Sequence, residues 1–348
     1  MVLLLSIIAL ALLFDYINGF HDAANSIATV VTTKVLTPVQ AVIWAAFFNF
    51  VAFFLAKYWL GFNIATTVYK TVLPEFATLP VILSAIIAAI IWNLITWWFG
   101  IPSSSSHTLI GSLAGAAVTY GGFHSIHYTG HDGLFITIAF IVVAPLIGML
   151  GGAIITLITL HISKKAIPKK AEHIFRRLQL VSSAWLSITH GLNDSQKVMG
   201  VIGITLITFN STVDPASLPH WLQLSTISEI HDWVPFACFT AIAIGTMSGG
   251  WKIMKTMGNK ITKLTPVEGF CAQTAGAITL QITERLGIPV STTHVITGSI
   301  MGVGSVKRLS AVRWGVTINL LWAWILTIPV SATLAALVYL LVRQMGIS

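Results

Sequence analysis

Residues 100–107 read Gly-Ile-Pro-Ser-Ser-Ser-Ser-His, and residues 287–294 read Gly-Ile-Pro-Val-Ser-Thr-Thr-His. A glycine follows four residues after each histidine, as Gly111 and Gly298. Proline is tolerated in the first turn of a helix, where its missing N–H leaves no bond unmade. Each octapeptide therefore reads as a break followed by a new helix. A helix start presents free N–H donors and a partial positive charge, which suit an oxyanion. The hydroxyls of Ser104, Ser105, Ser106, Ser291, Thr292 and Thr293 add donors without adding charge. Ser and Thr runs also serve close helix packing; two matching copies weigh towards a shared site.

A second duplication lies upstream of each copy. Residues 19–25 read Gly-Phe-His-Asp-Ala-Ala-Asn, and residues 190–197 read His-Gly-Leu-Asn-Asp-Ser-Gln-Lys. The order of the two motifs is the same in both halves, so the chain reads as a tandem duplication. Apolar stretches surround them, at about 2–35, 38–60, 79–99, 101–121, 134–160, 179–206, 235–250, 267–286, 287–305 and 314–342. With 348 residues, 55% apolar and 9% charged, the chain has too little polar surface for a soluble domain, in which about a quarter of residues are charged. Runs of this length are too long and too uniform for barrel strands. The fold class expected is an all-α polytopic membrane protein. The N-terminal run MVLLLSIIALALLF has no basic start and no small-residue cleavage site, and reads as a retained helix.

Charge placement orients the chain. Six basic residues fall within 164–177 and four within 252–263 (Lys252, Lys255, Lys260, Lys263), and Lys307, Arg308 and Arg313 share a short loop. Such clusters mark cytoplasmic loops and argue against nucleic acid as the reason for the net charge of +8. Segments 122–133 and 207–234 contain no Lys or Arg but carry His124, His127, His131, Asp132, Asp214, Glu229 and Asp232, and are expected outside. Parity then puts both termini outside and gives two inverted repeats of about five elements each. The expected division is 1–160 for the first repeat, 161–178 for a basic cytoplasmic linker and 179–348 for the second. Segments 79–121 and 267–305 satisfy parity either as full double spans or as re-entrant hairpins. Inverted repeats with interrupted helices at matching positions mark secondary transporters, with the site at the repeat interface.

Asp22 and Asp194 carry the chemistry first. A carboxylate within a bilayer marks a functional site by default, the alternative being a cap on a broken helix. Asp15 has no repeat partner, and either a structural or a functional role suits it. An oxyanion beside Asp22 and Asp194 is repelled, and burial strengthens the repulsion. The pattern thus calls for a cation or proton travelling with the anion. His21, His190, His107 and His294 lie close to these motifs and suit either helix packing or titration near neutral pH. Cys238 and Cys271 have no metal-ligand spacing and read as buried small hydrophobes. A Ser/His/Asp hydrolase fails to explain the duplication, so no catalytic residue is assigned and no enzyme is expected.

The combined motifs resemble the inorganic phosphate transporter (PiT) family over essentially the whole chain, and are most similar to its bacterial low-affinity, proton-coupled members. Stretches 47–50, 88–94, 245–247 and 289–295 share in the likeness. The long hydrophilic central domain of many relatives is missing. The resemblance implies phosphate as substrate, a cytoplasmic (inner) membrane location and a homodimer. It implies phosphate binding by the six hydroxyls and a cation-linked part around Asp22, Asn25, Asn193 and Asp194; the two asparagines are also expected to bind phosphate, and Lys197 and His190 join Asp22 and Asp194 as expected coupling residues by their positions. No cofactor is expected beyond a co-transported proton or sodium, and a divalent metal carried with phosphate as a neutral complex. If sodium binds, Asp22 and Asp194 are its expected ligands. Two departures favour protons. Sodium-coupled relatives carry glutamate where this chain has Asn49 and Gln273. Lys197 also stands where the first repeat has Asn25, as a tethered cation or an ordinary i,i+3 ion pair with Asp194. Sodium coupling, a sulfate permease and an anion channel are the alternatives.

Overall fold

The computed structural model describes residues 1–130, 133–214, 217–259 and 261–347, so His131, Asp132 and Lys260 lie outside the described residues. The helices are α1 Val2–Thr32, α2 Pro38–Leu55, α3 Asn63–Tyr69, α4 Leu79–Phe99, α5 Ser105–Gly121 and α6 Leu134–Ser163. They continue with α7 Pro168–Thr212, α8 Trp233–Ser248, α9 Trp251–Asn259, α10 Pro266–Arg285, α11 Thr292–Lys307 and α12 Trp314–Gln344. Strand pairing among the described residues is confined to an isolated bridge between Val72 and Ile126.

The order of α1–α6 recurs in α7–α12. A long aspartate-bearing helix is followed by a second helix, a short one, a helix running into the break, the helix behind the hydroxyl motif, and a proline-containing outer helix (Pro145 in α6, Pro329 in α12). Gly100 and Gly287 make the two breaks, each with φ of +66°. That left-handed conformation is readily available only to glycine. The short helices α3 and α9, which the sequence reading left inside loops, hold these breaks from the opposite half. Thr67 Oγ1 donates to the Gly287 carbonyl at 2.6 Å, and Thr256 Oγ1 to the Gly100 carbonyl at 3.3 Å.

α1, α2 with its continuation to Leu60, α4, α6 and α12 are each long and apolar enough to cross a membrane, and α8 with α9 forms a sixth candidate bent by 74°. α6 and α12 turn Leu150, Ile154, Leu157, Trp322, Leu337 and Leu341 outwards, as lipid-facing helices do. α5 and α11 are richer in Ser, Thr and Gly and lie inside. α5 packs on α12 and α11 on α6 through glycine, where a Cβ on Gly111 would collide with Ser331 Oγ and one on Gly298 with the Pro145 carbonyl. Small residues are what let helix backbones approach this closely in a membrane.

The loops collect at two ends. At one, Lys57 pairs with Asp232 at 2.7 Å, Thr208 Oγ1 donates to the Ala77 carbonyl, and Val72 bridges Ile126. At the other, Arg176 donates to the Lys34 carbonyl, Lys307 pairs with Glu268, and the Arg313 N–H donates to the Ile261 carbonyl. At 45 residues and about 1.5 Å each, α7 is far longer than a bilayer is thick. It takes residues 168–178 of the basic segment into a helical extension on which Lys169, Lys170 and Arg177 are exposed.

Candidate functional site

The two hydroxyl motifs fold alike because each supplies its own cap. Ser104 is the N-cap of α5 and accepts from the His107 N–H at 3.1 Å; Ser291 is the N-cap of α11 and accepts from the His294 N–H at 3.2 Å. A capping hydroxyl satisfies one of the free N–H groups at a helix start, and each keeps its own proton to donate. The two helix starts approach one another, with His107 and His294 rings 4.9 Å apart and His294 stacked on Trp324.

α1 and α7 bring the aspartates to this junction. Asp22 Oδ2 accepts from Ser105 Oγ at 3.0 Å and from Thr292 Oγ1 at 3.4 Å, so one carboxylate joins both helix starts. Its other oxygen lies 2.5 Å from His21 Nδ1, and Thr96 Oγ1 holds the far side of that ring at 3.1 Å. Asn25 Nδ2 donates to Thr292 Oγ1 and Thr293 Oγ1, both at 3.0 Å. On the other side, Lys197 Nζ donates to Asp194 Oδ1 and Ser106 Oγ at 2.5 Å each and to the Val290 carbonyl at 2.9 Å. All of these residues are buried.

His190 Nε2 lies 3.2 Å from Asp194 Oδ2, without the alignment of a hydrogen bond, while Nδ1 faces Asn49 Oδ1 at 3.3 Å. Oxygen and nitrogen atoms of Asp22, His190 and Asp194 fall within 4.8 Å of one another, close enough to share a cation. Asn193 turns its amide to the Thr189 and Leu280 carbonyls and stands apart from the hydroxyl cluster, with Oδ1 unpartnered. It occupies the place in α7 that His21 holds in α1.

Three contributors have no role assigned from sequence, although Thr246 and Val290 lie in stretches that share in the family likeness. Thr96 orients His21, and Thr246 receives the Asn49 amide at 2.9 Å. The Val290 carbonyl, the third acceptor around Lys197, belongs to the one position in the second motif where the hydroxyl is missing. Thr96 lies four residues before Gly100, as Thr283 lies four before Gly287, and that repeat was the available signal.

Buried hydroxyls at two opposed helix starts, flanked by two carboxylates and one ammonium, gather the donor types that an oxyanion takes and the acceptor types that a cation takes at one junction. Residues 18–335, which include every residue of this cluster, match the phosphate transporter family. The chain belongs to the phosphate transporter family. Among its relatives in the family are a probable low-affinity inorganic phosphate transporter of Rhizobium meliloti, 47% identical over 97% of this chain and 96% of that one, and one of Bacillus subtilis, 44% identical over 99% and 98%. The fold also matches a solved structure, the sodium-dependent phosphate transporter, with a TM-score of 0.83 at 26% identity over 99% of this chain and 100% of the other. This phosphate transporter family member is thus an all-helical membrane protein and not an enzyme.

Proposed function

We propose that the protein imports inorganic phosphate by symport with protons, by alternating access at the junction of two inverted repeats, 1–160 and 179–348. The supporting observation is the cross-linked cluster in which Asp22 joins Ser105 to Thr292 and Lys197 joins Asp194 to Ser106. Phosphate oxygens accept from the hydroxyls of Ser104, Ser105, Ser106, Ser291, Thr292 and Thr293 and from the N–H groups of the first turns of α5 and α11, with Asn25 at the edge; Asn193 joins them only when its amide leaves the Thr189 and Leu280 carbonyls. Asp22, Asp194 and one lysine leave the cluster with an excess negative charge before phosphate arrives. In a low-dielectric site that charge opposes the anion strongly, so a compensating positive charge must enter with it.

Lys197 supplies part of that charge from within the chain. Its ammonium is surrounded by a carboxylate, a hydroxyl and a carbonyl, the oxygen ligands that a hard cation takes. A lysine there reduces the demand for a bound metal ion, which favours protons as the coupled species. Phosphate carried as a neutral divalent-metal complex is compatible with the same balance. Sodium coupling is the second reading, favoured by the convergence of Asp22, His190 and Asp194 and by the sodium-dependent structural relative. The basic end is taken as cytoplasmic, with both chain termini on the opposite side.

The test is uptake of labelled phosphate into proteoliposomes, with proton and sodium gradients imposed separately. Uptake driven by an inward proton gradient without sodium is expected. Uptake that requires sodium and ignores the proton gradient contradicts proton coupling, and equal entry of labelled sulfate contradicts the substrate assignment.

A further inference from the structure

Asp15 lies seven residues before Asp22 on α1, two helical turns back along the same face. It is fully buried, and neither of its carboxyl oxygens has a hydrogen-bond partner. One turn further on, Asn18 is also buried, and its Oδ1 has no partner. An ionised carboxylate and an amide oxygen both only accept, so both groups lack the same thing, a donor. A single proton on Asp15 supplies it. That proton also removes a buried charge with no donor around it, among the most unfavourable groups to hold in a membrane interior.

The surroundings point the same way. α2 and α4, which pack on α1, contain no acidic, basic or histidine residue. α8 presents the buried Cys238 as its titratable group. From α7, Asp194 and Lys197 reach Asp15 electrostatically, with His190 beside Asp194. α9 meets α1 further along, at Ala28 and Thr32, the Gly250 before it lies against Phe20–Ala24, and α10 and α11 reach Thr29 and Asp22. If ionised, Asp15 would be a third carboxylate beside Asp22 and Asp194 against one lysine.

We propose that Asp15 is the proton-binding site of this transporter, a carboxyl outside the phosphate cluster whose charge state is felt by Asp194 and Lys197. The assignment rests on the proton-symport reading above. When the site faces the side of phosphate entry, the Asp15 carboxylate takes a proton from hydronium, leaving water, and forms a neutral carboxyl. The loss of that negative charge lets phosphate occupy the cluster. After the switch, the carboxyl O–H breaks, its proton passes to water on the far side as hydronium, and the restored carboxylate disfavours phosphate and helps expel it.

The experiment uses the full chain as wild type, Asp15→Asn and Asp15→Glu. Labelled phosphate uptake into proteoliposomes is measured with and without an inward proton gradient, and the infrared carbonyl stretch of protonated carboxyls is recorded at neutral pH. The wild type should accelerate with the gradient, Asp15→Asn should lose that response, and Asp15→Glu should keep it. A protonated-carboxyl band should be present in the wild type, absent in Asp15→Asn and displaced in Asp15→Glu. A wild type indifferent to the gradient overturns proton symport, and Asp15's role with it. A responsive wild type with an equally responsive Asp15→Asn overturns the Asp15 assignment alone. If Asp15→Asn does not fold, the spectrum of Asp15→Glu decides, and an undisplaced band overturns the proposal.

Discussion

Asp22 and Asp194 hold equivalent places in α1 and α7, and the residue three positions on separates them. Asn25 bridges to Thr292 and Thr293 with a neutral amide, whereas Lys197 bridges to Ser106 and the Val290 carbonyl with an ammonium. The surrounding donors are duplicated: each aspartate has a histidine beside it, and each helix start has its serine cap. The charge is not duplicated. A tandem repeat can therefore keep the positions of its oxygen groups while one half replaces a neutral side chain with a fixed cation; under the proposed function, that exchange changes what must be bound from solution.

Removing one member of the charged pair should have the largest effect. Lys197→Met leaves Asp194 buried and uncompensated, and breaking a buried pair in this way costs about 3–5 kcal/mol. Thermal unfolding in detergent should show a clear loss for Lys197→Met and substantial recovery in the Lys197→Met/Asp194→Asn double variant. Equal loss in both would mean that packing, rather than charge, holds this side. The helix contacts come next. Gly111→Ala and Gly298→Ala each push a Cβ into a neighbouring helix, with an expected loss of about 1–3 kcal/mol from overpacking. Similar values from the two halves would extend the duplication to energetics, and a large difference would break it. The smallest effect belongs to the caps. Ser104→Ala and Ser291→Ala should each lose about 1 kcal/mol, the usual contribution of a helix N-cap. Because each capping hydroxyl keeps a proton that the proposed function gives to phosphate, both should also raise the phosphate concentration needed for half-maximal uptake.

Much of this was legible in the sequence because duplication raises weak signals above chance. Either Gly-Ile-Pro motif alone could be an ordinary packing element, but two copies in the same order as two aspartate motifs define a repeat, and the structure brings all four to one junction. The cross-half partners were not legible. Asn25 reaches Thr292 and Thr293, and Lys197 reaches Ser106, across separations for which sequence offers no register. Asn193 was grouped with the binding residues by its place beside Asp194, yet local geometry turns its amide to backbone carbonyls. The short helices α3 and α9 were hidden for another reason. Asn63–Tyr69 is too short for a clear apolar period, and the lysines of Trp251–Asn259 read as a loop, although their threonines hold the opposite breaks. Asp15, without a repeat partner, suits a structural or a functional role by sequence, and only the structure reveals that neither it nor Asn18 Oδ1 has a donor.

Under the proposed function, Lys197 stands in for a cation that the first half leaves to be bound. The most direct measurement is a sodium titration of labelled phosphate uptake in proteoliposomes containing the wild type or Lys197→Asn, which gives α7 the same side chain that α1 carries at Asn25. Wild-type uptake should be flat across the titration, and uptake by Lys197→Asn should rise with sodium. Identical sodium profiles for the two proteins would contradict the account.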